Sequence, residues 1–380
     1  MIESFRSLLK INSRVIILVL LLLVVFDLLL RVLIPEYINQ DVRRLPADNN
    51  NIIGLWKDEL ARCNDYKVVF IGDSVVFGGG VREESQTLPS YFSQYLKTNY
   101  PDKNIKVFNF SQAGCTPADT YQILRYISDA RPDLVIYDGN LGWFDKPRIM
   151  EHPYLIQLNP ASMTPRFQRI LGMQPPSQGM ESTVTRYISN FWMLYRARVF
   201  LDYWWLGQPP KEKMKLVVQY GTPKYLLRGA NEWTPEKTEL YKNWTQKDLD
   251  SLRGKKVKLG YFKVSSQNPQ WMMYEELMLL AEKDNIPMVM FFPPRNRVLM
   301  TKYNLLDEPG FNHTQQQMAQ LAEKHGVTVL DYTWDIDSKN FVDSLHLDAR
   351  GNRDLARLLS TDLASRGLQE RISGHLRSND

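Results

Sequence analysis

Ser74, Asp343 and His346 are the residues whose types and placement point to nucleophilic chemistry on a carbonyl. Ser74 closes the stretch KVVFIGDS (Lys67–Ser74), in which an apolar run ends abruptly in Gly-Asp-Ser. A serine hydroxyl is a poor nucleophile unless a base takes its proton and a third group orients that base. The chain has five histidines from which that base must come. His152 stands before a proline in an irregular stretch, His375 lies in the tail, and His313 and His325 flank a helical pattern on its solvent side. His346 differs, because FVDSLHLDARGN (Phe341–Asn352) carries Asp343 three residues before it and leads into a final helix. That spacing lets a carboxylate reach one imidazole nitrogen within a turn and leaves the other nitrogen for the serine.

The elements that must position these groups follow an α/β rhythm. Lys67–Ile71, Ile105–Phe110, Asp133–Tyr137, Pro287–Phe292 and Val327–Leu330 read as buried strands. Leu88–Tyr100, Pro117–Ala130, Trp271–Asp284, Thr314–Lys324 and Asp348–Ser365 read as helices. Strands alternating with helices of this length predict a parallel sheet covered on both faces. Ligands of such sheets sit beyond the carboxyl ends of the strands, where Ser74 falls. The rhythm lapses between residues 146 and 265, which are too many for one structureless loop. This stretch reads as an inserted, mainly helical lid or platform dividing a domain of residues 61–145 and 266–368, with 369–380 a tail. Its aromatic run FWMLYRARVFLDYWW (Phe191–Trp205) fits core packing. Trp204 and Trp205 also fit a membrane interface or stacking on sugars.

Residues 15–35 supply about twenty mostly apolar residues, enough to cross a bilayer as a helix. A cleaved signal would have a shorter apolar region ending in small residues. Arg6, Lys10 and Arg14 against Glu3 keep residues 1–14 cytoplasmic and place everything after a linker of residues 36–60 outside. Asp27 and Arg31 share a helix face inside the span, either as a self-contained pair or as a contact with another membrane protein. The net charge of +5 lacks a dense basic stripe with interleaved aromatics, so nucleic acid is not an expected partner. No Cys/His cluster has metal-ligand spacing, and no metal or cofactor is expected. Cys63 and Cys115 are compatible with a disulfide or with two free thiols. Gly78–Gly80 predict a tight turn beside the site rather than a phosphate loop, since no Gly-Lys-Ser/Thr follows.

Gly72-Asp73-Ser74 near the start and Asp343-x-x-His346 near the end together resemble the SGNH/GDSL hydrolase superfamily. The resemblance implies a flavodoxin-like three-layer α/β/α sandwich with a parallel sheet. It makes Ser74 the nucleophile, His346 the general base and Asp343 the orienting carboxylate. It also implies an oxyanion hole from the backbone N–H groups of Ser74 and Gly114 and the side chain of Asn140. The family's usual Gly-x-Asn-Asp reads Gly139-Asn140-Leu141 here, a departure at the third donor. Arg295 and Arg297, after PMVMFFPP, fall on the same end of the sheet, where they either bind an anionic group of the substrate or stand solvated. An N-terminal anchor, an outward domain and a long insertion are similar to DltD-like proteins and alginate-type O-acetyltransferases. That likeness implies an extracytoplasmic serine O-acyltransferase placing an acyl group, acetyl by preference, on a cell-surface polysaccharide. The implied partner is a membrane-bound O-acyltransferase (MBOAT) protein reached through Asp27 and Arg31. An esterase acting on the same kind of glycan and a non-catalytic glycan-binding scaffold are the alternatives.

Overall fold

Each of the five apolar runs forms a strand, and the five lie parallel in one sheet. The computed structural model describes residues 13–46, 49–145, 149–158, 163–172, 184, 187–189, 191–206, 259–260, 264–368, 370 and 372 of the 380. Helix α1 covers Ser13–Gln40 and α2 covers Asn50–Arg62. Strand β1 (Tyr66–Ile71) leads through the one-turn helix α3 (Ser74–Phe77) to α4 (Leu88–Asn99). Next come β2 (Ile105–Asn109), α5 (Pro117–Ile127) and β3 (Leu134–Asp138). Helices α6 (Pro165–Leu171) and α7 (Met193–Leu206) belong to the inserted stretch. The chain then adds α8 (Pro269–Lys283), β4 (Met288–Phe292), α9 (Arg297–Lys302) and α10 (Glu308–Lys324). It ends with β5 (Thr328–Asp331) and α11 (Ala349–Ser365).

The strand order is β2-β1-β3-β4-β5, a common doubly wound arrangement. Its register pairs Val69 with Phe108 on one side and with Val135 on the other. Because successive side chains alternate across a strand, the apolar runs feed two separate cores. Val69, Ile71, Met288, Met290 and Phe292 join α5 and α8 on one face. Val68, Phe70, Val289 and Phe291 join α4 and α11 on the other. Helix starts are set by side-chain caps: Thr116 and Asp119 form a capping box on α5, Asn268 caps α8 and Asp348 caps α11.

Helix α1 is long and apolar enough to cross a membrane, and it extends five residues past the span expected from sequence, through Pro35. Its apolar residues between Val15 and Leu33 are almost all exposed. One stripe (Asp27, Leu30, Ile34 and Ile38) is buried. Asp27 and Arg31 form an ion pair at 2.9 Å. They also hold the start of the inserted helix: the Leu194 N–H donates to Asp27 Oδ1 at 2.7 Å, and Arg31 Nη2 donates to the Phe191 carbonyl at 2.6 Å. Both groups are thus engaged within the chain.

The stretch 36–60 is not a free linker, in contrast to the sequence reading. It contains the end of α1, buried Val42, Arg44 and Leu45, and helix α2, whose Ile52, Ile53 and Trp56 enter the core. Polar turn residues conceal that packing in the sequence, because only a few buried side chains carry it. The aromatic run divides: Phe200 packs edge-on against Tyr37 and tilts against Trp56, whereas Phe191 and Trp192 face outward. The side chains of Trp204 and Trp205, the lysine-rich stretch 211–258, Arg6, Lys10 and His375 lie outside the described residues. Cys63 and Cys115 are both free thiols.

Candidate active site

The turn after β1 has room for glycine alone. Gly72 sits at φ +142, and a Cβ there would fall 1.7 Å from Asp138 Oδ1. That oxygen instead accepts the Asp73 N–H at 3.0 Å. Asp73 is buried and caps α3, its Oδ1 accepting the Val75 N–H at 2.9 Å. Its Oδ2 accepts from Asn140 Nδ2 at 2.5 Å and from the Trp143 indole at 2.9 Å. Ser74 is the first residue of that turn, so its N–H has no partner within the helix.

The second half of the site arrives on the loop before α11. Val342 donates its N–H to the His346 carbonyl at 2.8 Å and Asp348 donates to Asn340 at 3.0 Å, closing the loop on itself. Buried Asn296 pins it from outside, donating through Nδ2 to the Asp343 carbonyl at 3.1 Å. Asp343 Oδ1 accepts the N–H groups of Leu345 and His346 at 2.8 and 2.7 Å. Its Oδ2 lies 2.7 Å from His346 Nδ1, and His346 Nε2 lies 2.7 Å from Ser74 Oγ. The structure therefore brings together three residues separated by 272 positions, with all three side chains partly exposed.

Burial opposes charge on His346, but the Asp343 carboxylate, its hydrogen bond and the charge of Asp73 outweigh it and raise the imidazole above its usual range. Burial likewise pushes Asp343 up, while the His346 charge and the hydrogen bonds from His346 and Leu345 hold it below the ordinary carboxylate value. Asp138 is raised well above that value by burial and by the neighbouring Asp73 charge. Such an arrangement can take a proton from Ser74 Oγ, hold it on an imidazolium and return it to a leaving group.

Gly79 and Gly80 make the close approach of the two halves feasible. A Cβ on Gly79 would lie 2.8 Å from His346 Cδ2, and one on Gly80 would lie 2.1 Å from the Leu347 carbonyl oxygen. Gly78, at φ +85, provides the left-handed turn that brings them there. Gly79→Ala is expected to push the ring off Ser74 and lower kcat/KM on p-nitrophenyl acetate by about 10²-fold, the usual cost of a misplacement near 1 Å. Thermal unfolding run beside the kinetics should show little change, because the two closest atoms belong to a movable ring and the Ser74 carbonyl oxygen, at 3.1 Å, needs to give by only a few tenths of an ångström.

The oxyanion candidates are placed on two further loops. Gly114 follows β2 at φ +83, with open space where a Cβ would be, and its N–H donates to no acceptor among the described residues. Its loop is tied to the nucleophile turn by Gln112 N–H donating to the Gly72 carbonyl at 3.1 Å. His152, set aside in the sequence reading, is buried and donates from Nε2 to the Ala113 carbonyl at 3.0 Å. It therefore braces the residue next to Gly114. Asn140 gives one amide hydrogen to Asp73 and keeps a second free for a ligand, while its Oδ1 accepts from Gly142 and Arg295.

Arg295 and Arg297 separate. Arg295 is buried, its Nη2 donating to Asn140 Oδ1 at 2.5 Å, so it orients that amide from below instead of standing solvated. Burial lowers its pKa to about 10 against the opposing charges of Asp73, Asp343 and Asp138, leaving it a cation at neutral pH. Arg297 is exposed, lies over the Trp334 ring at 5.4 Å and borders an open surface groove with Lys302 and Asp335. Trp143, Asp138, His152 and Asn296 are parts of the site that sequence reasoning did not single out. Only Asp138 had a local signal, as a carboxylate at the end of an otherwise apolar strand.

No protein-family model matches the chain, and no curated protein does either. Among solved structures it is similar to the acetyl xylan esterase AlAXEase, at 13% identity and a TM-score of 0.37, covering 78% of this chain and 98% of that one. It is also similar to LAE5, an alpha/beta hydrolase enzyme from the metagenome of Lake Arreo, Spain, at 11% identity and a TM-score of 0.35, covering 78% and 95%. Axe2, an acetylxylan esterase from Geobacillus stearothermophilus, is matched at 14% identity and a TM-score of 0.33, covering 77% and 91%. Likenesses this distant carry no weight for the function of the chain, which has to be judged from the geometry of its own residues.

Proposed function

We propose that this chain is a membrane-anchored serine O-acyltransferase of the SGNH/GDSL type, acting outside the cytoplasm on a surface polysaccharide. The observation that carries the reading is the continuous relay from Asp343 Oδ2 through His346 to Ser74 Oγ, with both links at 2.7 Å. Ser74 Oγ attacks the carbonyl of an acyl donor as His346 Nε2 takes its proton. The tetrahedral oxyanion is held by the N–H groups of Ser74 and Gly114 and by the free amide hydrogen of Asn140. Collapse expels the leaving group, protonated by His346, and leaves acyl-Ser74. A sugar hydroxyl, deprotonated in turn by His346, takes the acyl group and frees the serine. The anchor and the inserted stretch support transfer on a surface polymer, with acetyl the acyl group we favour and an MBOAT protein as donor.

A second reading has its own observation. The side chains of Ser74, Asp343 and His346 are all partly exposed, so water can reach an acyl-Ser74 directly and make the protein an esterase. The two are separated by supplying the full-length protein with p-nitrophenyl acetate and an oligosaccharide acceptor, then following acetylated sugar by mass spectrometry beside free acetate. Transfer exceeding hydrolysis is expected, with both lost in Ser74→Ala. Free acetate alone at every acceptor concentration would replace the transferase reading by the esterase one.

A further inference from the structure

The inserted stretch carries an apolar stripe that no described residue covers. Val184, Tyr187, Ile188, Phe191 and Trp192 are spaced as i, i+3, i+4, i+7 and i+8, and all five are exposed, with Tyr187 at 79% and Phe191 at 81%. Helical hydrogen bonds link Ile188 and Trp192 to α7: Trp192 N–H donates to the Ile188 carbonyl at 2.8 Å, and Arg196 N–H to that of Trp192 at 3.0 Å. Such spacing defines one face of a helix. The opposite side of α7 is firmly held, with Met193, Ala197 and Phe200 buried and Arg196 paired with Asp58. The stripe is therefore presented outward by an anchored element.

What covers it is indicated by its height. The Asp27 and Arg31 contacts tie residues 191 and 194 directly to α1. Asp27 and Arg31 lie six and two residues before Leu33, the last exposed large apolar residue of that helix. At about 1.5 Å per residue, the start of α7 sits about 3–9 Å inside the end of the apolar band. Interfacial helices bury their apolar face to a similar depth, about 5–10 Å, and Tyr and Trp are enriched at this level of a bilayer.

We propose that Val184, Tyr187, Ile188, Phe191 and Trp192 form a second membrane contact, embedded in the outer interface of the lipid bilayer beside α1. The proposal rests on the reading of α1 as a membrane span. Two contacts joined by the Asp27–Arg31 pair fix the tilt of the domain, which a single helix followed by a flexible tether would leave free. The catalytic end of the sheet is then held at one orientation to the membrane surface.

The test uses the full-length protein in phosphatidylcholine/phosphatidylglycerol vesicles, carrying an environment-sensitive fluorophore on Phe191→Cys or Tyr187→Cys. Leu33→Cys serves as the span control and Lys324→Cys, on an exposed helix face, as the water control. Cys115 is buried and Cys63 is half-buried with its thiol pushed up by burial, so the wild-type labelling background is low and is subtracted. We expect labels at 187 and 191 to be blue-shifted and quenched several-fold more by acyl-brominated lipid than the label at 324, as at 33. Quenching by aqueous iodide matching that at 324, with 33 still lipid-quenched, overturns the proposal. Protection from both quenchers would mean that a protein covers the stripe and overturns it equally. Water exposure at 33 as well would sink the membrane span itself.

Discussion

Ser74→Ala is expected to lower kcat/KM on p-nitrophenyl acetate by at least about 10⁴-fold, with His346→Ala close behind, since either removes a member of the relay. The two losses should not add: the double variant is expected to be no slower than the worse single one, because the residues act as a unit. The acid limb of the pH profile carries the more specific test. His346 works as a base only when neutral, and its pKa is raised by the Asp343 carboxylate despite burial. Activity should therefore fall as pH drops through a midpoint above the ordinary imidazole value of about 6.5. Asp343→Asn removes the charge that favours the imidazolium, so its residual activity should show that midpoint moved to lower pH. A Ser74→Ala protein retaining a tenth of wild-type activity, or an unmoved limb in Asp343→Asn, would rule the relay out.

The strands were legible because a fully buried parallel strand needs a continuous apolar run, and KVVFI, DLVIY and PMVMFF meet that demand without help from distant residues. Their observed ends differ from the sequence reading by one residue or so. Ser74, Asp343 and His346 could be singled out because nucleophile, base and carboxylate are few in kind, and because each stands at an element boundary. The supports could not. His152 precedes a proline in irregular chain and looked incidental, yet its contact with the Ala113 carbonyl gives it a place. Arg295 had two sequence readings, anion binding or solvation. Its burial beneath Asn140 depends on how β4 and β3 pack, which no local pattern records. The stretch 36–60 was read as a linker for the same reason: its polar composition is ordinary, and its packing rests on partners dozens of residues away. Residues that act through short-range chemistry leave a trace in sequence, whereas residues that act by filling a place in the fold do so only when their neighbours are known.

Arg44→Ala should destabilise the folded protein by about 3–5 kcal/mol, a few charge-assisted hydrogen bonds lost together. Arg44 follows helix α1 by four residues and is buried to 5% exposure. Its Nε donates to the Phe77 carbonyl at 2.8 Å, Nη1 to Arg82 at 2.8 Å, and Nη2 to Gly78 and Val81 at 2.9 and 2.8 Å. Four carbonyls of one turn thus converge on a guanidinium whose pKa burial lowers only to about 10, so the cation persists at neutral pH. Alanine leaves those acceptors facing a cavity. Lysine offers a point charge in place of a planar fork and should recover only part of the loss. Denaturant unfolding in micelles reads the difference, and a midpoint shift equivalent to under about 1 kcal/mol would show that water replaces the arginine freely. The same turn carries Gly79 and Gly80 against His346 and Leu347, so Arg44→Ala should also cost activity in the protein that remains folded. Arg43 pairs with Glu84 at 2.9 Å, and the Arg44 N–H donates to the same carboxylate at 3.1 Å. The chain leaving α1 is therefore bound to the loop beside the candidate base. Arg44 thus joins the end of α1 to the turn whose Gly79 and Gly80 pack against His346 and Leu347.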